Sequence, residues 1–482
     1  MSLTTTPTSW LESLPTEILQ NICAHFCHHC QGKTLIPQFH LPVTGDYVTD
    51  RDTNSANAEA IRDLCALSRV SRRLREVAQP ILYHEFPSLE LRRGRLEHYL
   101  RTVIARPDLA AVVKTLAFNL NIATCLDASL ARSIYLQGLE VLGTDVDKVW
   151  SSRCEDPLPP KLLETFRCFL FGNESHDEST VDPMALNYFA CFEILVLLLS
   201  LLPNLTTLSV DGAFISATLS PSAFKAFGIK SIKLKRLYAS SVPRAIVDVA
   251  HDLDELIIGP RFEVRQEPKP RSISYCLSPE HKFPGQANPI PHALDPHYLE
   301  KSFAFYKPPL QSFRFELHGI KPNTRLPRPS FSFLNNFHTT LQSLHLDFPI
   351  NSASGATIGS LKKFVNLKDV FLASNLIYHN TTDASLGHYL AMFLPENIER
   401  FTLLRRSTSL FANNNIHLGI AILAMMMGIG IFPHMTLAEF LCEGTTRGGA
   451  RIHRLEGNKI RLDRGGHIPT KIFEIPGVAY EA

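Results

Sequence analysis

Several scarcities bound what this chain can be. Ten cysteines in 482 residues are too few for a disulfide scaffold, and the opening MSLTTTPTSW is polar where a secretory leader needs a charged start and an apolar core. The chain is therefore expected in the cytoplasm and/or nucleus, with reduced thiols. Excess charge of either sign is also missing: 48 basic side chains face 46 acidic ones, a net charge of +2. Without a global field, neither nucleic acid nor a membrane surface is expected as a partner. One long apolar run exists, residues 416–432, in which His417 is the only polar side chain. It stands at the lower limit for a membrane span, lacks a basic flank and meets Pro433 at once, so it reads as a buried helix. Catalytic signatures are missing as well. Gly428-Ile-Gly430 runs into Phe432-Pro433 instead of opening a phosphate-binding helix, and there is no G-x-S-x-G elbow, H-E-x-x-H pair or kinase motif. No catalytic residue and no cofactor is expected, and the protein is not expected to be an enzyme.

What is present is an ordinary globular composition, 45% hydrophobic and 20% charged, with two helical patterns near the start. In residues 10–30 the Ser13-Leu14-Pro15 start is followed by Ile18, Leu19, Ile22 and Phe26 on one face. In residues 60–86, Leu67, Val70, Leu74 and Val77 recur at steps of three and four, and Pro80 is expected to end the helix before an extended Ile81-Leu82-Tyr83. Two short helices bury little by themselves and need a partner. Residues 1–9 are expected to be a disordered tail.

These two segments resemble the F-box, in the version common in filamentous fungi. The resemblance rests on Leu14-Pro15-x-Glu17-Ile18-Leu19-x-x-Ile22 and on Leu64-x-x-Leu67-x-x-Val70-Ser71-Arg72-x-Leu74-Arg75-x-x-Ala78-x-Pro80-x-Leu82-Tyr83-x-x-Phe86. A departure is the polar stretch at about residues 31–57, where a compact F-box has a short turn; its loop-closure cost rises only about 0.6 kcal/mol per doubling of length. The F-box would thus span residues 10–90 with that insertion. The resemblance implies docking on a Skp-type adaptor and, through it, on a cullin-RING ubiquitin ligase. The adaptor contacts would be Leu14, Pro15, Ile18, Leu19, Ile22, Leu67, Val70, Ser71 and Leu74.

Beyond a helix expected over residues 91–107, one pattern returns. An apolar residue, two spacers, an apolar residue, one spacer and a third apolar residue occur at Val113-Leu116-Phe118, Leu205-Leu208-Val210, Leu253-Leu256-Ile258, Leu310-Phe313-Phe315, Leu341-Leu344-Leu346, Leu367-Val370-Leu372 and Ile398-Phe401-Leu403. Weaker copies are Leu234-Leu237-Ala239 and Leu437-Phe440-Cys442. Several follow an apolar helix that ends near Pro or Asn, as at Pro203-Asn204 and Asn366. The alternation gives a short strand with one face inward.

Helix, tight turn and LxxLxL resemble a leucine-rich repeat. The fold class expected is α/β: a small helical F-box followed, over residues 91–482, by an irregular leucine-rich-repeat-like solenoid of short parallel strands backed by helices. A non-repetitive α/β domain using the same strands is the alternative. Residues 145–182 and 260–309, rich in polar residues and proline, read as loop insertions. Short alternating runs after Arg447 suggest a terminal hairpin cap.

Four groupings bear on chemistry. Cys23, His25, Cys27, His28, His29 and Cys30 are metal-like, with His40 nearby, but all lie on or just after one helix, with no second C-x-x-C pair. Cys23 and Cys27 read better as small apolar residues, and no metal is expected. Arginines 62, 69, 72, 73 and 75 read as the solvated side of a helix or a contact for an acidic partner. A phosphate-reading pocket would need convergence of Arg314, Arg400, Arg405 and Arg406, and a hidden hydrolase would use residues such as His318, His345 and Asp347. The resemblance favours a substrate-recognition subunit holding an unknown protein substrate on its repeats; a protein-binding scaffold without a ligase link is the alternative.

Overall fold

The computed structural model describes residues 10–32, 50–86, 95–118, 126–156, 158, 160–172, 183–210, 219–241, 244–261, 270–277, 303, 309–317, 331–347, 358–377, 389–405, 419, 421–442, 450–454, 459–464 and 471–474. It is an α/β protein of two compact units, Met1–Leu253 and Asp254–Ala482.

The first unit begins with helices. After a 3₁₀ turn at Trp10–Ser13 come α1 (Thr16–Ala24), α2 (Asp50–Val70) and α3 (Arg72–Leu82). They share a hydrophobic cluster of their own: Leu19, Cys23, Cys27, Leu64, Leu74, Val77, Ala78 and Ile81, flanked by half-buried Leu11, Leu14, Phe26, Leu67 and Leu82. The boundary expected near residue 90 thus falls inside this unit, although residues 11–82 keep a separate core. Part of the expected polar insertion is helical, since α2 starts at Asp50; residues 33–49 lie outside the described residues.

The second helical pattern is two helices, not one. Ser71 is extended (φ −154°), and its Oγ accepts the Leu74 N–H at 3.2 Å, ending α2 and capping α3. Pro80, expected to stop the helix, lies within α3, which continues through Ile81 and Leu82. Its ring removes one helical donor. The helix nonetheless resumes, with Tyr83 N–H donating to the Gln79 carbonyl at 3.2 Å, because Val77, Ala78 and Ile81 are buried in the cluster.

Four parallel strands follow in chain order: β1 (Glu85–Phe86), β2 (Thr115–Phe118), β3 (Thr207–Val210) and β4 (Arg236–Ser241). Phe86, Leu116, Leu208 and Leu237 stand in one row. Between the strands run α4 (Arg95–Ala105), α5 (Pro107–Val112), α6 (Ala128–Val141), α7 (Val146–Cys154), α8 (Pro160–Phe171), α9 (Pro183–Leu201) and α10 (Pro221–Ala226), with α11 (Arg244–Val249) after β4. Residues 145–182, expected as a loop, thus contribute two helices; residues 173–182 lie outside the described residues. Asp145 caps α7 by accepting the Asp147 N–H at 3.1 Å, while Val149, Phe166, Phe169 and Leu170 are buried, which loops do not achieve. Helix α9 is apolar around nearly its whole circumference and buried accordingly. At Gly138 a Cβ would lie 2.7 Å from Leu197 Cδ2, so glycine is what lets α6 approach α9 so closely.

The second unit holds β5 (Glu255–Arg261), β6 (Ser272–Leu277), β7 (Ser312–Leu317), β8 (Ser343–Asp347), β9 (Asp369–Ala373), β10 (Arg400–Arg405) and β11 (Leu437–Cys442), paired parallel in chain order. Strands β12 (Ala450–Arg454), β13 (Lys459–Arg464) and β14 (Lys471–Glu474) continue it antiparallel. One inward row is Leu256, Ile273, Phe313, Leu344, Val370, Phe401 and Ala438; the next is Ile258, Tyr275, Phe315, Leu346, Leu372, Leu403 and Phe440. Strand β6 lies inside the expected insertion 260–309 and follows the same spacing from buried Pro270 to Ile273 and Tyr275. At β11 the frame is Met435-Ala438-Phe440, two residues earlier than the sequence pattern suggested, because Leu403 pairs with Phe440.

Seven of the parallel strands start in the same way. The carbonyls of Arg271, Gln311, Gln342 and Lys368 in the second unit, and of His84, Lys114 and Thr206 in the first, each accept two successive N–H groups from the start of the next strand, at 2.7–3.0 Å. Asparagines just before the strands tie neighbouring coils: Asn204 Nδ2 donates to the Ala111 carbonyl (2.9 Å), Asn366 to Thr339 (2.6 Å) and Asn397 to Val365 (2.8 Å). The Asn204 bond is half-buried and the other two are exposed; all three give a partner to carbonyls at the coil turns.

Of the apolar run 416–432, residues 421–428 are helical, with Ile422, Leu423 and Met427 buried; residues 416–418 and 420 lie outside the described residues. Among the described residues no helix is long and apolar enough to cross a membrane.

Candidate functional site

On α1 the apolar surface is wider than its core needs. Leu19 and Cys23 point into the cluster, as does Cys27 in the turn beyond, while Pro15, Ile18 and Ile22, at i, i+3 and i+7, form the adjacent strip. Pro15 is exposed, Ile18 is 44% exposed and Ile22 is half-buried. Trp10, in the turn just before, is 75% exposed, and Val70, at the end of α2, is 64% exposed. Trp10, Ile18 and Val70 are among the large apolar side chains left exposed among the described residues. Arg73 Nη2 donates to the Leu14 carbonyl at 2.6 Å and Arg75 Nε to the Ser68 carbonyl at 3.1 Å, so two of the basic side chains fasten turns of the helical module to one another.

The nine residues expected to meet an adaptor therefore divide. Leu19 and Leu74, each 1% exposed, are occupied by the core and act on any partner only through the shape they impose. Leu14 and Leu67 are half-buried against it, and Ser71 is occupied as the cap of α3. Pro15, Ile18, Ile22 and Val70 retain surface. Trp10 was not singled out from the sequence, although an aromatic next to a helix start was the available signal.

In the second unit the strand face away from the apolar rows is polar and knitted together. Arg314, His345 and Phe371 share a row across β7, β8 and β9. His345 stacks on Phe371 with ring centroids 3.9 Å apart and planes inclined by 4°, and its Nε2 lies 2.7 Å from Glu316 Oε1. Arg314 pairs with the same carboxylate. Burial holds the His345 imidazole below its ordinary pKa of 6.5, against the opposing pull of Glu316. Arg400 pairs with Asp369 on the neighbouring row. Two of the four arginines considered for a phosphate pocket are thus neutralised by carboxylates. The Arg405 side chain, Arg406 and His318 lie outside what is described. His345 faces away from the apolar rows, as its position between Leu344 and Leu346 suggested, and among the described residues its partners are Glu316 and the Phe371 ring.

A third grouping joins two segments. Cys27, His29 and Cys30, in the turn after α1, meet His84, at the start of β1; their ligand-type atoms all lie within 4.8 Å of one another. Cys30 Sγ is 3.3 Å from His84 Nδ1 and 3.9 Å from His29 Nδ1, and Cys27 Sγ is 3.8 Å from His84 Nδ1. Burial, with the neighbouring charges of His29 and Lys114, pushes the His84 imidazole down to about 4, and burial first of all pushes the Cys27 thiol up to about 12. The sequence showed only one element here; His84, more than fifty residues away, was the missing member, with no local signal to mark it. His25 and His28, and Cys23 within the core, stand outside the group.

No family model matches the chain, and no curated protein matches it.

Proposed function

We propose that the chain is the substrate-recognition subunit of a Skp-cullin-F-box type ubiquitin ligase, its helical module being an F-box and its strands and helices a leucine-rich-repeat-like array. The observation that carries this reading is the module of residues 10–82, which has a core of its own yet leaves Trp10, Pro15, Ile18 and Val70 exposed and Ile22 half-buried. An apolar strip of that kind suits a helix-in-groove contact with an adaptor. The face of the second unit's strands that carries half-buried Arg314, His345, Phe371 and Asp369 is the surface offered to a protein substrate. The chain itself supplies no chemistry. It supplies proximity, holding substrate lysines close to a charged ubiquitin-conjugating enzyme.

The test is adaptor binding by the full chain, measured by pull-down and calorimetry with a purified Skp-type protein. Ile18→Glu with Val70→Glu, both on exposed positions, is expected to weaken binding at least tenfold, about 1.4 kcal/mol, with an unchanged circular dichroism spectrum. Unaltered affinity in that variant, or no binding by the folded wild type, moves the conclusion to a protein-binding scaffold without a ligase link.

A further inference from the structure

The Cys27, His29, Cys30 and His84 group has a chemistry that the adaptor reading does not use. Four side chains of the two types zinc prefers converge from two separate segments, as a closed structural site requires. With metal–sulfur bonds of about 2.3 Å and metal–nitrogen bonds of about 2.0–2.1 Å, tetrahedral geometry places sulfur about 3.6 Å from nitrogen. The observed separations of 3.3, 3.8 and 3.9 Å bracket that value. The two imidazoles meet edge to face, with centroids 5.2 Å apart and planes inclined by 76°, so neither ring blocks the other's nitrogen.

We propose that Cys27, His29, Cys30 and His84 bind one zinc-like divalent cation in a closed Cys₂His₂ site that clamps the turn after α1 to the start of β1. Two thiolates and two neutral imidazoles sum with the ion to zero charge, as in closed structural zinc sites. The clamp falls where support is thin. The helical module has a small core, β1 is two residues long, and the His84 carbonyl is already fixed by the Lys114 and Thr115 N–H groups at 2.8 and 3.0 Å. Domains with small cores are commonly held by such an ion, and binding energy at a site absent from the unfolded chain becomes folding energy. Cys27-x-x-Cys30 could alternatively close as a disulfide, which would remove both thiolates from the site.

The full chain, purified under reducing conditions and stripped of metal, is titrated with Zn²⁺ alone and with Co²⁺ alone. Binding of about one ion per chain is expected, with the intense visible bands of tetrahedral Co²⁺ and sulfur-to-metal charge transfer. Both are expected to be lost in Cys30→Ser and in His84→Ala, and kept in Cys65→Ser and Cys154→Ser. Cys30 is exposed, so its variant reports on the site even if His84→Ala unfolds the module; circular dichroism checks both. A Co²⁺ spectrum of six-coordinate type, full stoichiometry retained in Cys30→Ser, or no ion bound by the reduced chain while the oxidised chain shows a Cys27–Cys30 disulfide would each overturn the site. The adaptor assay is read separately, so loss of one result leaves the other standing.

Discussion

The two units build the same kind of strand and support it differently. In the first, four parallel strands are accompanied by long helices, and the core accepts charge. Arg153, fully buried, pairs with Glu193 on α9 and reaches Asp156 Oδ2 at 3.2 Å, while Tyr135 donates to Glu193 Oε2 at 2.9 Å. In the second, the supports among the described residues include single 3₁₀ turns at Ser332–Phe337, Leu361–Lys363 and Ser374–Leu376 and a short helix, α12 (Tyr389–Phe393). Its core at that point is aromatic: Phe303 stacks on Phe333 at 4.4 Å and meets Phe313 edge-on at 5.7 Å. The comparison teaches that the strand frame, with its doubly used carbonyls and inward rows, sets the sheet, while the connection between strands is free in length and chemistry. Long helices from different turns must be pinned to one another, and a buried ion pair does that directionally. Short turns lie against the strands already, and rings suffice.

Breaking that contrast has a definite order of effect. Arg153→Leu leaves Glu193 buried without its cation and is expected to destabilise the first unit by about 3–5 kcal/mol. Adding Glu193→Leu is expected to recover much of that loss, and segment-resolved hydrogen exchange should confine the change to α6–α9. Val370→Ala, which removes two methyl groups from an inward row, is expected to cost about 2 kcal/mol, felt in β8, β9 and β10 and not in the first unit. The smallest effect is on pH dependence. His345 is held below its ordinary pKa of 6.5, so below that value the unfolded chain binds the extra proton first. The second unit should therefore lose stability as pH falls from 6.5 toward the folded value, where the loss levels off. His345→Phe is expected to flatten that part of the profile; an unchanged slope would mean that His345 does not carry it.

The legibility of the sequence follows the same divide. Strands β2, β3, β5, β7, β8, β9 and β10 were visible because each needs two inward apolar residues at fixed spacing, and burial enforces it. Strand β6 was hidden by Pro270 in the leading position and by serines at 272 and 274, whose side chains sit on the outer face where the core makes no demand. Helices α7 and α8 were obscured because their polar neighbours, CEDPLPP and GNESHDEST, dominate a reading by composition, while Val149, Phe166 and Phe169 carry the burial. Pro80 misled for a different reason: propensity is local, and Ile81 is held helical by contacts with distant residues. At the candidate sites the exposed strip of α1 was legible as a helix face, but which half of it the core would consume was not. His84 illustrates the remaining limit, since its proximity to Cys30 is created only by folding.

Strand β1 carries one more consequence. A parallel sheet ends in a row of backbone donors and acceptors that any other extended chain can copy, and a long edge invites that pairing. Here the first strand of the unit is two residues, Glu85 and Phe86, bonded on one side to Thr115 and Leu116. So short a template offers an incoming strand almost no ladder to extend. Lengthening it would give an incoming strand more ladder to copy, the liability that short edge strands limit.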